Sequence, residues 1–147
     1  MADEPALRVQ LLRPGARLPQ RATPGASGLD LFACIEAPGG VELGRDPVRV
    51  PTGIAIEVPI GYDAQVRPRS GLSAQGVGVT FGTIDSDYRG EVLVTMYLFG
   101  SQEAYTVGHG ERIAQLVIGR VADLPVVGAQ ALSPTERGPG GHGSTGT

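Results

Sequence analysis

An all-β barrel or sandwich is the fold class this sequence predicts, and three observations predict it. Glycine and proline are dense, 23 and 12 in 147 residues, so turns interrupt the chain too often for long helices. Several stretches alternate apolar and polar residues with a period of two, as strands with one buried face do. The best helix candidate is short and confined to the residues just after Ser70.

In Thr52-Gly53-Ile54-Ala55-Ile56-Glu57-Val58, the side chains of Ile54, Ile56 and Val58 share one face. Along residues 63–67, Ala64 and Val66 alternate with polar neighbours. Gly71-Leu72-Ser73-Ala74-Gln75 is the helix candidate. Residues 91–99 and 112–121 are nearly continuous apolar runs, which predicts central strands covered on both faces. The composition changes once, near Leu132. Residues 1–132 are therefore expected to form one β-domain large enough for a core. Residues 133–147, with almost nothing to bury, are expected to form a flexible glycine-rich tail.

The net charge of −3 gives no electrostatic footprint for nucleic acid. All twelve basic residues are arginine, and without lysine a Walker-type phosphate loop is excluded. Arginine forks can still grip phosphate oxygens in pairs. Cys34 is alone, so no intramolecular disulfide forms, and it reads as core filler. His109 and His142 are too few for a typical structural zinc site. The start Met1-Ala2-Asp3-Glu4-Pro5 lacks a secretory layout, and no apolar run reaches membrane-spanning length. A cytoplasmic protein with no membrane partner is expected.

Five segments place polar residues where a plain β-protein has no need of them. They are Ala26-Ser27-Gly28-Leu29-Asp30-Leu31, Arg67-Pro68-Arg69-Ser70-Gly71-Leu72, Gly82-Thr83-Ile84-Asp85-Ser86-Asp87-Tyr88-Arg89-Gly90-Glu91, Gly110-Glu111-Arg112-Ile113-Ala114-Gln115-Leu116, and the tail from Arg137. Each has an ordinary structural reading. Ser70 suits a helix N-cap, Asp85 and Asp87 suit a turn, Gln115 suits a satisfied core amide, and His142 a solvated tail. A helix start beside Arg69 also suits phosphate, because free N–H groups and a cation converge there.

In order and spacing the five segments resemble the five motifs of the trimeric dUTP pyrophosphatases, the dUTPase family, from about Leu7 to Gly146. The third segment and the tail, Arg137-Gly138-Pro139-Gly140-Gly141-His142-Gly143-Ser144-Thr145-Gly146, carry most of that resemblance. It implies a β-clip or distorted jelly-roll-like subunit, assembling as a homotrimer with sites shared between subunits. It also implies hydrolysis of dUTP to dUMP and pyrophosphate with Mg²⁺, which keeps uracil out of DNA and supplies dUMP for thymidylate synthesis.

By the same resemblance, Asp85 would activate the water that attacks the α-phosphorus, and Tyr88 would press on the deoxyribose and exclude a 2′-hydroxyl. Thr83, Ile84 and Asp85, at the end of a hairpin that the resemblance places at Val77-Gly78-Val79-Thr80-Phe81-Gly82, would read uracil through the main chain. Arg69, Ser70 and Gly71 would hold the phosphates, while Asp30 and Gln115 would contact the waters of a Mg²⁺ that the triphosphate itself chelates. Arg137 would reach the γ-phosphate. His142, Gly143, Ser144 and Thr145 would complete a lid that orders over the substrate.

The chain departs from the family pattern twice. His142 stands where most members place a phenylalanine over the uracil, and imidazole can stack in its stead. Only residues 72–82 separate Gly71 from Thr83, and the asparagine usual in that hairpin is missing, as asparagine is from the whole chain. The competing readings are a dCTP deaminase or bifunctional relative of the same fold, a non-catalytic nucleotide-binding regulatory trimer, and a plain structural β-domain. The Asp85-x-Asp87-Tyr88 pattern and the complete tail favour dUTP hydrolysis.

Overall fold

In a computed structural model, which describes residues 4–143 and 146, ten strands and one short helix make up the regular structure. The strands are β1 (Arg8–Leu11), β2 (Leu29–Phe32), β3 (Val41–Leu43), β4 (Val48–Glu57), β5 (Tyr62–Arg67), β6 (Val77–Val79), β7 (Gly82–Ile84), β8 (Glu91–Leu98), β9 (Tyr105–Val107) and β10 (Arg112–Arg120). The helix, α1, spans Ser70–Ala74. Two four-stranded sheets form, in the orders β1-β4-β8-β6 and β2-β10-β5-β7, with a small β3-β9 ribbon beside them. The strand pairs are antiparallel, and no strand pairs with its immediate neighbour in sequence. Each link between consecutive strands therefore leaves the sheet it starts in or spans it, which is a jelly-roll-like arrangement and bears out the all-β expectation.

One core lies between the two sheets. Val50, Ile54, Ile56, Val94 and Met96 enter from the first, and Leu31, Ala64, Val66, Ile113 and Leu116 from the second. The alternation expected in β5 is realised, with Ala64 and Val66 buried and their neighbours half-exposed. In β4, Ile54, Ile56 and Val58 are buried as expected, with Thr52 beside them; its hydroxyl donates to the Val92 carbonyl at 2.5 Å. The β4–β8 register slips between Pro51 and Ala55. Gly53 sits in that bulge at φ +71, and a Cβ there would meet the Ala16 methyl at 2.8 Å and the Cys34 sulfur at 3.0 Å. Cys34 is buried, as a core-filling cysteine should be.

Three expectations need correction. The strand β8 is central but fully covered on one face only: Val92, Val94, Met96 and Leu98 are buried, whereas Leu93 is 39% exposed and Phe99, just past the strand, 42%. Of its outward residues Glu91, Leu93, Thr95 and Tyr97, only Leu93 is exposed and the other three are half-buried. In β10, Ile113, Ala114 and Leu116 are buried but residues 117–119 are only half-buried, with Ile118 packed at the margin of the core beside an open groove. Residues 77–82 do not form a hydrogen-bonded hairpin. β6 and β7 are edge strands of different sheets, and the Thr80-Phe81 link steps from one to the other. A link that short can turn a corner between two packed layers as readily as it can close a hairpin.

Regular structure ends at Arg120, ahead of the change in composition near Leu132. The chain then runs out as an exposed arm that carries Val121, Leu124, Val126, Val127 and Leu132 in contact with water. Among the described residues, no helix is long and apolar enough to cross a membrane.

Candidate active site

The second sheet lines up three of the five segments. Asp30 on β2 is opposite Gln115 on β10, which is opposite Arg67 on β5. Such cross-strand neighbours lie about 5 Å apart. The Asp30 carboxylate, 13% exposed, reaches toward two arginines, with Arg69 Nε at 3.6 Å and Arg112 Nε at 3.7 Å. Arg69 also donates to the Arg112 carbonyl at 3.1 Å. Gln115 Nε2 donates to the Pro68 carbonyl at 2.9 Å, tying β10 to the turn that leads into α1. Gly28 makes this possible, since a Cβ on it would collide with Gln115 Oε1.

Ser70 opens α1 but does not cap it. The N-cap is Arg69, and no side chain caps the helix. Arg112 has no role in the sequence reading although it belongs to the fourth segment. Its pairing with Asp30 depends on a cross-strand register that the sequence does not display. The same holds for Tyr105 and Glu111. The Tyr105 hydroxyl donates to Glu111 Oε1, and the Gly108 N–H donates to Glu111 Oε2 at 2.9 Å. Burial, followed by the bond to Glu111, pushes the Tyr105 phenol up to about 12.

The third segment builds a separate pocket. Val66, Gly82, Thr83, Ile84 and Tyr88 line a cavity of about 200 Å³, closed by Glu91, Val92 and Leu93. A larger groove of about 570 Å³, lined mainly by apolar residues including Leu7, Val9, Leu18, Leu29 and Ile118, contains none of the candidate residues. The smaller pocket is the one that the third segment lines. One of its walls is an unusual strand edge. β7 pairs with β5 on one side and, among the described residues, has no strand partner on the other, so its outward main-chain groups form an open edge. Asp85 follows directly and is exposed. Its carbonyl accepts from the Tyr88 N–H at 3.1 Å in the turn that brings Tyr88 round.

The two clusters do not meet within one chain. β5 and β7 are antiparallel, with Ala64 opposite Ile84 and Val66 opposite Gly82. Asp85 therefore continues toward the Asp63 end of the ribbon, and Ser70 lies past Arg67 at the other end. At about 3.3 Å per residue, the span from Asp63 to Arg67 alone is on the order of 13 Å. In the tail, Arg137 Nε donates to the Gly140 carbonyl at 2.7 Å and the Gly138 N–H donates to Thr135 Oγ1 at 3.0 Å, so the tail contacts itself. His142 is exposed, at φ +52, next to Gly143. Ser144 and Thr145, the other lid residues expected, lie outside the described residues.

Among the described residues, no three histidine, cysteine or acidic side chains converge to hold a metal. Asp30 and Gln115 offer a carboxylate and an amide at one level of the sheet.

A family model described as dUTPase matches residues 15–146. The chain is 49% identical over 141 residues to the deoxyuridine 5'-triphosphate nucleotidohydrolase of Treponema pallidum subsp. pallidum, covering 90% of this chain and 92% of that protein. With the protein of the same name from a Hydrogenobaculum species it is 51% identical over 146 residues, covering 95% and 97%. Its fold superposes on the dUTPase of Staphylococcus bacteriophage 80alpha, solved with dUpNHpp, at a TM-score of 0.82 and 26% identity, covering 97% of this chain and 99% of that one. At 22% identity and a TM-score of 0.75, the dUTPase from phage phi11 of S. aureus shares the fold. The chain belongs to the dUTPase family.

Proposed function

We propose that this protein hydrolyses dUTP to dUMP and pyrophosphate. The observation that carries the reading is the free edge of β7 beside Tyr88, with Asp85 at its end. Main-chain donors and acceptors along residues 82–84 can pair with the uracil edge. A base with the wrong pattern leaves buried polar groups unpaired and is rejected strongly for that reason. Because β7 reads through its backbone, the missing asparagine does not remove the recognition. The Tyr88 ring then packs on the deoxyribose and leaves no room for a 2′-hydroxyl.

Asp85 holds and deprotonates a water aligned with the α-phosphorus. As the new P–O bond forms, the bond to the bridging oxygen breaks and pyrophosphate leaves. Arg69, Ser70 and Gly71 hold the phosphates. Mg²⁺ carried by the triphosphate would neutralise its charge and keep several waters, and a Mg(II) ion is named for the phi11 dUTPase. The side-by-side oxygens of Asp30 and Gln115 suit contact with those waters.

The separation of the two clusters supports a site shared between chains in a homotrimer. Asp85 of one copy and Ser70 of another can face the same nucleotide. The exposed apolar arm, with Val126 wholly solvated, supports the same reading, since a lone chain gains nothing from such a surface. It would carry Arg137, His142, Gly143, Ser144 and Thr145 to a neighbour's site as a lid. Residues 1–132 would then be the β-domain with its linker and 133–147 the lid.

A pyrophosphate-release assay across dUTP, dTTP, dCTP and UTP, with and without Mg²⁺, tests the proposal. Strong preference for dUTP is expected. Equal rates on dUTP and dTTP would refute the base pocket, and ammonia released from dCTP would favour the deaminase reading.

A further inference from the structure

We infer that Arg13 and Glu91, neither of which touches the reacting atoms, are positioning residues that set the pitch of Tyr88 and so govern discrimination against ribonucleotides. The inference rests on the proposed contact between Tyr88 and the sugar. Arg13, in the loop after β1, forks onto Glu91 at the start of β8, with Nη1–Oε1 at 2.7 Å and Nη2–Oε2 at 3.0 Å. Both side chains are largely buried, at 24% and 22% exposure. Glu91 Oε2 also accepts from the Gly53 N–H in the β4 bulge at 3.4 Å. One residue on, the Val92 carbonyl is held by the buried Thr52 hydroxyl. The first two residues of β8 are thus fixed by β4 and by the loop after β1 together.

Tyr88 rests on this anchored point. Its hydroxyl donates to the Glu91 carbonyl at 3.1 Å. Its ring lies close over Gly90, where a Cβ would collide with the hydroxyl oxygen and stand 2.6 Å from Cζ. Glu91 and Tyr88 line the same pocket. Tyr88 is itself 45% exposed, and the hydroxyl bond and the contact with Gly90 orient the ring. A tether at the hydroxyl fixes its tilt, and the tilt decides whether a 2′-hydroxyl fits. The bidentate geometry matters because a planar fork fixes direction as well as distance.

The test compares kcat/KM for dUTP and UTP in Arg13→Ala, Glu91→Gln and Tyr88→Phe, with melting temperatures measured alongside. The dUTP-over-UTP ratio is expected to fall about tenfold in each, the scale of discrimination that one small group in a pocket supplies. The Arg13→Ala/Tyr88→Phe double variant should discriminate no worse than the weaker single, because both changes cut one tether. The inference is overturned if Arg13→Ala and Glu91→Gln lower the melting temperature but keep the parental ratio. Tyr88→Phe, the mildest change, overturns it alone if full discrimination survives. Tyr88→Ala separates this from the underlying reading. If it too leaves the ratio untouched, the sugar contact itself is wrong; if it relaxes the ratio while the Arg13 and Glu91 variants do not, only the tether fails.

Discussion

Asp85 and Tyr105 can both lose a proton, and their surroundings suit them to opposite uses. Asp85 is exposed at the end of an edge strand and enters its turn through the main chain, so its carboxylate is free for a water. Asp85→Asn should leave the melting temperature unchanged and lower kcat about a hundredfold or more, the range lost with a general base. Full activity in a pyrophosphate-release assay would remove Asp85 from the mechanism. Tyr105 is held protonated by burial and by Glu111, its ionisation pushed up to about 12. A raised value favours the fold below the ordinary phenol value of about 10 and loses that contribution as pH climbs from there. Melting temperature followed from pH 9 to 12 should therefore fall less steeply in Tyr105→Phe than in the parent. Gly28→Ala acts on position alone. The new methyl must push Gln115 aside and off the Pro68 carbonyl. A loss of turnover larger than the loss of stability is expected, and unchanged kcat would show that Gln115 need not sit where it does.

At the scale of elements, local pattern and pairing part company. The alternation of Ala64 and Val66, and of Ile54, Ile56 and Val58, is legible because the period of a strand is written in neighbouring residues. The short helix after Arg69 is legible for a similar reason. What residues 77–82 do is not, because a hairpin and a corner between sheets need the same small residues and differ only in what lies beside them. The bulge in β4 is the clearest structural decision at this scale. Gly53 takes φ +71 there under the Cys34 sulfur, which brings its N–H to Glu91. Gly53→Ala should cost about 1–3 kcal/mol, from a left-handed backbone and a crowded Cβ. Denaturant unfolding measures it, and a neutral result would mean that the bulge relaxes freely.

On the scale of the whole molecule, the proposed shared site would leave a lone chain incomplete. It holds the pocket of the third segment at one end of the β5–β7 ribbon, a cluster of arginines, Asp30 and Gln115 at the other, and an arm with exposed apolar residues. Sedimentation should find a trimer, and a fully active monomer would contradict the shared site. Removing the residues after Glu136 should reduce turnover strongly yet leave the melting temperature nearly unchanged, because the described residues of that segment are exposed or only half-buried. A truncated protein with parental kcat would end the lid reading.

The sequence by itself determined the fold class, the family and the identity of the chemical groups, since glycine punctuation, two-residue alternation and ordered motifs are all local in the chain. The tertiary structure alone decided which strands pair, that β7 is an open edge, that Arg112 joins Arg69 on Asp30, and that Arg13 grips Glu91. The physical reason is distance along the chain. Contacts such as Arg13–Glu91 join residues 78 positions apart, and their geometry follows from how two sheets stack, a property that no short stretch of sequence carries.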